Sequence, residues 1–209
     1  MKLFDFGRAP NPQRVRIFLA EKGIEIQKIP VNLYRMEQLS PEFLAINPGG
    51  TVPVLETDDG VYLSECLAIC HYLEDLHPEP PLFGTGPTEK AQVLMWNNIV
   101  ENEGLPAIAE MLRNWSPGFR DHVFPGPTRI EQIPALIERG RALCTQFFDR
   151  VEGRLADRRF LAGQNFSFAD ITLFTVCEFA GWVEIRPTEG RPALEDWYGK
   201  IASRSSTQA

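Results

Sequence analysis

Thr51-Val52-Pro53-Val54-Leu55-Glu56 is the stretch on which the reading of this chain turns. Its β-branched and leucine residues describe a strand, yet Pro53 cannot donate to a ladder. A central strand avoids proline unless the chain bends there or the preceding peptide bond is cis. Either way Val52 keeps an unpaired N–H and C=O, which suit an extended, peptide-like ligand joining as an added strand. Read alone, the same residues also describe a proline on an ordinary edge strand. Toward the C-terminus, Thr57-Asp58-Asp59-Gly60 is a turn and Val61-Tyr62-Leu63 closes a hairpin. A helix follows, with Ser64 placed to cap it and Leu67, Cys70, Leu73 and Glu74 on one stripe. Toward the N-terminus, Leu3 to Phe6 is a short apolar run, and a helix then carries Val15, Phe18, Leu19 and Lys22 on one face and stops at Gly23. Ile24 to Val31 is a second strand, and Ser40 with Pro41 opens a short helix. The order is βαβ and then ββα.

Residues 78–87 hold four prolines, so a linker is expected there between an α/β unit, residues 1–77, and an all-helical unit, residues 88–209. Helices are predicted over Thr88–Arg113 and Thr128–Asp157, separated by an aromatic, proline-bearing loop from Ser116 to Pro127. Ser167 followed by Asp170 is a capping box, so a helix starts there and Asp170 serves folding. Trp96 is expected in the core or at a subunit interface.

Composition narrows the function classes. Of 209 residues, 44% are hydrophobic and 23% charged, which excludes a disordered chain. A net charge of −7 and a pI near 5.1 have the wrong sign for phosphate backbones or anionic lipid, so neither nucleic acid nor membrane is an expected partner. The four cysteines and three histidines show neither disulfide nor metal-ligand spacing, so no metal is expected and the cysteines read as buried, inert thiols. The amino terminus lacks an export pattern, and a reduced, cytoplasmic setting follows as the expectation.

Two further places can carry chemistry. Glu65 and Cys66 stand where a helix begins, and a helix origin seats a carboxylate while Glu65 can pair with an ammonium; an ordinary cap would look the same. Asn11, between Pro10 and Pro12, either caps the first helix or offers its amide to a ligand. Arg14 and Arg16 are expected on that helix's solvent side.

The ordered set RVRIFLAEKGI, PEFLAINPGGTVPVLE, LSECLAICHYLE and RFLAGQNFSFADITL resembles the cytosolic glutathione S-transferase family over nearly the whole chain. Within it, the chain looks most like bacterial and fungal members, nu-like or theta-like, that lack the usual Tyr. The resemblance implies a thioredoxin-like first domain that binds glutathione as co-substrate. Val52, flanked by Thr51 and a cis Pro53, would pair with the tripeptide backbone; Glu65 and the Cys66 amide would hold its γ-glutamyl end, and Gln38, rather than Arg35, its glycyl carboxylate. Phe4 and Phe6 cannot donate to sulfur, so Asn11 is the implied thiol activator, with Arg8 and Ser116 as further catalytic candidates. Met111, Trp115, Phe119 and Phe124 would wall the electrophile pocket, although aromatic residues there also read as plain core. A homodimer acting in detoxification is implied, with a glutathione-dependent disulfide or peroxide reductase and a non-catalytic binding module as alternatives.

Overall fold

A computed structural model describes residues 1–209. The first half runs β1 (Lys2–Asp5), α1 (Pro10–Lys22), β2 (Gln27–Pro30), α2 (Pro41–Ile46), β3 (Val54–Glu56), β4 (Tyr62–Ser64) and α3 (Cys66–Leu76). The sheet order is β2-β1-β3-β4, with β1 and β2 parallel and the other pairs antiparallel, the thioredoxin-like βαβ-ββα arrangement. Gly23 ends α1 at φ 63, a conformation that costs glycine nothing. Ser40 caps α2 by accepting from the Phe43 N–H at 3.2 Å.

The second half is helical: α4 (Pro87–Ile99), a π-helical turn (Val100–Gly104), α5 (Leu105–Trp115), α6 (Leu136–Leu155), α7 (Phe168–Ala180) and α8 (Pro192–Ala202). One cluster of 39 buried residues runs from Leu3 to Ile201, so the halves share a core. The proline-rich connection contributes to it. Phe83 packs against Phe18 and Phe168, at ring separations of 6.1 and 5.1 Å. Lys22 donates from α1 to the carbonyls of His77 and Pro80 at 2.7 and 2.6 Å. Trp96 lies buried beneath Arg150 and Arg154.

Asp170 is fully buried at the start of α7. Its Oδ1 accepts from the Leu161 N–H (2.8 Å) and Trp197 Nε1 (3.0 Å), and its Oδ2 from the Ser167 N–H (3.0 Å) and hydroxyl (2.9 Å). Burial raises its pKa, and these donors oppose that rise.

Three expectations are corrected. Ser64 ends β4 and does not cap α3; Glu65 occupies the cap position, without a side-chain capping bond. The long helix expected from Thr128 begins at Leu136. Ile133, ahead of Pro134, is steered away from helical geometry, and its N–H goes instead to Asn114 Oδ1 at 2.7 Å. Arg14 and Arg16 are buried, at 2% and 7% exposure. Arg16 pairs with Asp5 at 2.7 Å and donates to the Gly7 carbonyl at 2.9 Å; neither bond is visible in local periodicity.

Candidate active site

Asn47 holds the turn ahead of β3. Its Nδ2 donates to the Thr51 carbonyl at 2.9 Å and hydroxyl at 3.0 Å, while its Oδ1 accepts from the Gly49 N–H at 3.1 Å. Gly50 turns the chain at φ 58, where an added Cβ would lie 2.8 Å from Leu39 Cδ2. This clamp delivers Thr51 and Val52 to the start of β3, the strand between β1 and β4, and the Val52–Pro53 bond is cis. The Val52 N–H and C=O bond no other group of the chain. Val54 pairs with Ser64 across β3 and β4, which sets Pro53 beside Glu65.

Glu65 has φ 70 and ψ 124, a strained conformation for a residue with a Cβ, and its side chain is exposed with no hydrogen-bond partner. Cys66 follows as the first residue of α3, where a backbone amide has no intrahelical acceptor. The buried Cys66 thiol donates to the Asn11 carbonyl at 3.3 Å, so the origins of α1 and α3 adjoin. Burial pushes this thiol up to about 11 against the pull of Arg14, with Glu101 and Glu65 adding to the rise. Cys70 is raised well above its ordinary value, by burial first. Both are inert thiols at neutral pH.

Asn11 is not a cap: Ala9 holds that position, and Asn11 lies within the first turn between Pro10 and Pro12. Two prolines leave that turn poor in N–H donors, so the helix origin itself offers little to an anion and the Asn11 side chain carries the polarity. Asn11 is exposed; its Oδ1 accepts from Arg14 Nη1 at 3.1 Å, and its Nδ2 bonds nothing in the chain.

The remaining sequence-predicted residues divide. Arg8 is exposed and donates to the Tyr34 hydroxyl at 3.2 Å, while Tyr34 packs edge-on against Phe6 at 5.2 Å. Gln38 Nε2 makes only a long contact of 3.7 Å to Met36 Sδ, and its Oε1 is buried without a partner. Ser116 follows α5, its carbonyl accepting from Gln132 Nε2 at 2.8 Å, and no hydrogen bond links it to Asn11 or Cys66. Met111, at 2% exposure, packs against Gly140 of α6 and belongs to the core, not to a cleft wall. Phe119 is half-buried against the main core. Trp115 and Phe124 are 58% and 62% exposed. The loop that carries Phe124 reaches the first half: Gly126 Cα would lie 3.4 Å from a Cβ on Gly50. A separate cavity of about 510 Å³, lined by Asp5, Phe6, Gly7, Lys28 and Glu37 among others, includes none of Asn11, Val52, Glu65 or Cys66.

Sequence reasoning missed Asn47 and Arg14. Asn47 had a signal, since Asn-Pro-Gly-Gly is a turn in which the Asn side chain bonds the backbone two residues on. Arg14 had none, because its partners Asn97, Glu101 and Thr172 are remote in sequence.

Comparison with known proteins adds an independent observation. The family model described as glutathione S-transferase, N-terminal domain, matches residues 9–76, and that of the C-terminal domain matches residues 123–205. The chain is 37% identical over 211 residues to glutathione S-transferase 2 of Saccharomyces cerevisiae, covering 100% of this chain and 88% of that one. Among solved structures, a glutathione S-transferase domain-containing protein of Marinobacter aquaeolei superposes with a TM-score of 0.90 at 33% identity, over 99% of this chain and 100% of that one. Gtt2 of Saccharomyces cerevisiae also gives 0.90, at 36% identity, over 100% and 99% of the two chains.

Proposed function

The chain belongs to the glutathione S-transferase family, and from that premise we propose how its own residues carry the reaction. It is a glutathione transferase, and glutathione supplies the thiol that, once ionised, attacks an electrophilic small molecule. The unpaired backbone of Val52, beside the adjoining origins of α1 and α3, carries this reading. The Val52 N–H and C=O pair with the cysteinyl unit, between Thr51 and Pro53. The free Glu65 carboxylate takes the γ-glutamyl ammonium, and the Cys66 amide takes the neighbouring carboxylate; the Cys66 thiol is already engaged by Asn11. Gln38 turns from its long Met36 contact to the glycyl carboxylate.

Asn11 Nδ2 donates to sulfur. A hydrogen bond to a charged group is worth about 1.5–3 kcal/mol, enough to lower a thiol pKa by roughly one to two units. Arg8 and Ser116 are the lesser candidates, since Tyr34 occupies one and no hydrogen bond ties the other to Asn11 or Cys66. The electrophile sits against Trp115, Phe119 and Phe124.

Residues 1–77 form the glutathione-binding unit, 78–87 the linker and 88–209 the helical unit. Exposed Val61, Tyr62 and Leu76 in the first half and Leu94 and Met95 on α4 are apolar surface suited to a two-fold homodimer. Four free cysteines suit a reduced cytoplasm and a role in detoxification; no helix is long and apolar enough to cross a membrane. The absence of Tyr and Ser between Phe4 and Arg16 favours a second reading, disulfide reduction by the same thiolate.

Titration calorimetry with millimolar glutathione, followed by rates toward a chloronitroarene and toward hydroxyethyl disulfide, tests both. Saturable heat and faster arene conjugation are expected. No heat would refute the binding site, and faster disulfide turnover would select the second reading.

A further inference from the structure

The buried Arg14 has five N–H donors and makes four hydrogen bonds with groups from both halves. Nη1 donates to Asn11 Oδ1 at 3.1 Å, Nε to Thr172 Oγ1 at 3.1 Å and Nη2 to Asn97 Oδ1 at 3.4 Å. Nη2 also pairs with Glu101, and Phe168 covers the guanidinium face at 5.2 Å. Thr172 lies on α7 and Asn97 on α4, while Glu101 comes from the π-helical turn, where an extra residue re-aims side chains. Cys66 and Cys70, uncharged at neutral pH, are the other titratable groups beside Arg14.

The chemistry of this contact decides which way the Asn11 amide faces. A guanidinium accepts no hydrogen bond, so the Asn11 atom against Arg14 must be oxygen and the nitrogen must be the free end. Without that constraint an exposed Asn would present oxygen to the cleft as readily as nitrogen, and oxygen repels a thiolate.

We propose that Arg14 is a positioning residue which, anchored by Glu101, holds Asn11 Oδ1 and thereby turns Asn11 Nδ2 into the cleft as the donor to the glutathione sulfur. This rests on Asn11 as thiol donor. It makes the thiol's activation depend on contacts supplied by the helical half.

The test is a double-mutant cycle on the full-length protein with Arg14→Lys, Asn11→Ala and the pair. kcat/KM for a chloronitroarene is followed against pH, with glutathione affinity read by calorimetry. Lysine keeps the charge beside Glu101, but a single ammonium cannot serve all four partners. Each single variant should move the acid limb up by about one pH unit and lower kcat/KM by roughly tenfold on that limb, the size of one charge-assisted hydrogen bond. The double variant should match Asn11→Ala alone, with glutathione affinity within about threefold of the parent in all three.

Effects that multiply in the double variant, or an Arg14→Lys limb that stays in place, would overturn the proposal and leave Asn11 as donor. An unmoved limb in Asn11→Ala would remove the donor assignment itself, and the proposal with it. Should Arg14→Lys fail to fold, Arg14→Met with Glu101→Met removes both charges together and leaves neither orphaned. That variant should show the same shifted limb, and an unshifted one overturns the proposal.

Discussion

Replacing Asp170 by Asn tests how the start of α7 is held. The carboxylate is fully buried and serves four donors: the N–H groups of Leu161 and Ser167, the Ser167 hydroxyl and Trp197 Nε1. An amide of the same shape keeps one acceptor oxygen. If that oxygen stays with Leu161 and Trp197, the Ser167 hydroxyl can rotate away, but the Ser167 N–H faces another N–H. One stranded buried donor costs about 1–3 kcal/mol, and the two bonds that remain lose their charge assistance, so a total of about 2–4 kcal/mol is expected. Asp170→Ala strands three N–H donors and should cost about 3–6 kcal/mol, well above the roughly 1 kcal/mol of a surface cap. Urea unfolding followed by tryptophan fluorescence, with Trp197 as the adjacent reporter, measures both. At about 2–4 °C per kcal/mol for a chain of this size, the Asn variant should melt roughly 4–16 °C lower. A loss under about 0.5 kcal/mol for Asp170→Asn would show that these bonds contribute little net stability.

Three further outcomes follow from particular contacts. Glu21 is partly desolvated, yet Arg204, at 2.7 and 2.6 Å, and the Ser206 hydroxyl hold its pKa below the ordinary value. A depressed acid stabilises above its unfolded pKa of about 4.3 and loses that contribution as pH falls through the folded value, so the stability gap between the parent and Glu21→Gln should shrink on acidification below about pH 4. Gly140→Ala should cost about 1–3 kcal/mol in thermal unfolding, because the new Cβ would lie 2.6 Å from Met111 Cγ and 2.8 Å from the Ala107 carbonyl. Glu65→Gln should weaken glutathione binding roughly tenfold by calorimetry while leaving the acid limb of kcat/KM in place, since it loses an ionic partner of the γ-glutamyl end and not the donor to sulfur.

Much of the fold was legible along the chain because its signals are local. Gly23 stops a helix, Ser40 and Pro41 start one, and Asp170 three residues after Ser167 opens another through bonds that span a single turn. Pro53 announced unpaired backbone ahead of β3 by the same logic, since a missing N–H is a property of the residue itself. Where local rules competed, reading by pattern failed. Ser64 has the chemistry of a cap but pairs in β4, and the periodicity after Thr128 yields to Pro134 and to Asn114 reaching across from α5.

Arg14 marks the boundary between the two kinds of information. Its charge on a helix predicts solvent, and burying a guanidinium is unfavourable unless acceptors and a counter-charge meet it. Those acceptors come from Asn97, Glu101 and Thr172, 83 to 158 residues away, and exist only once α4, the π-helical turn and α7 have packed against α1. Residue chemistry along the chain thus established the order of elements and the unpaired backbone at Val52, because those depend on neighbours a turn apart. That Arg14 is buried against remote partners, and that Met111 fills a core, came from packing, because burial and remote hydrogen bonds belong to pairs of distant segments and to no single stretch of the chain.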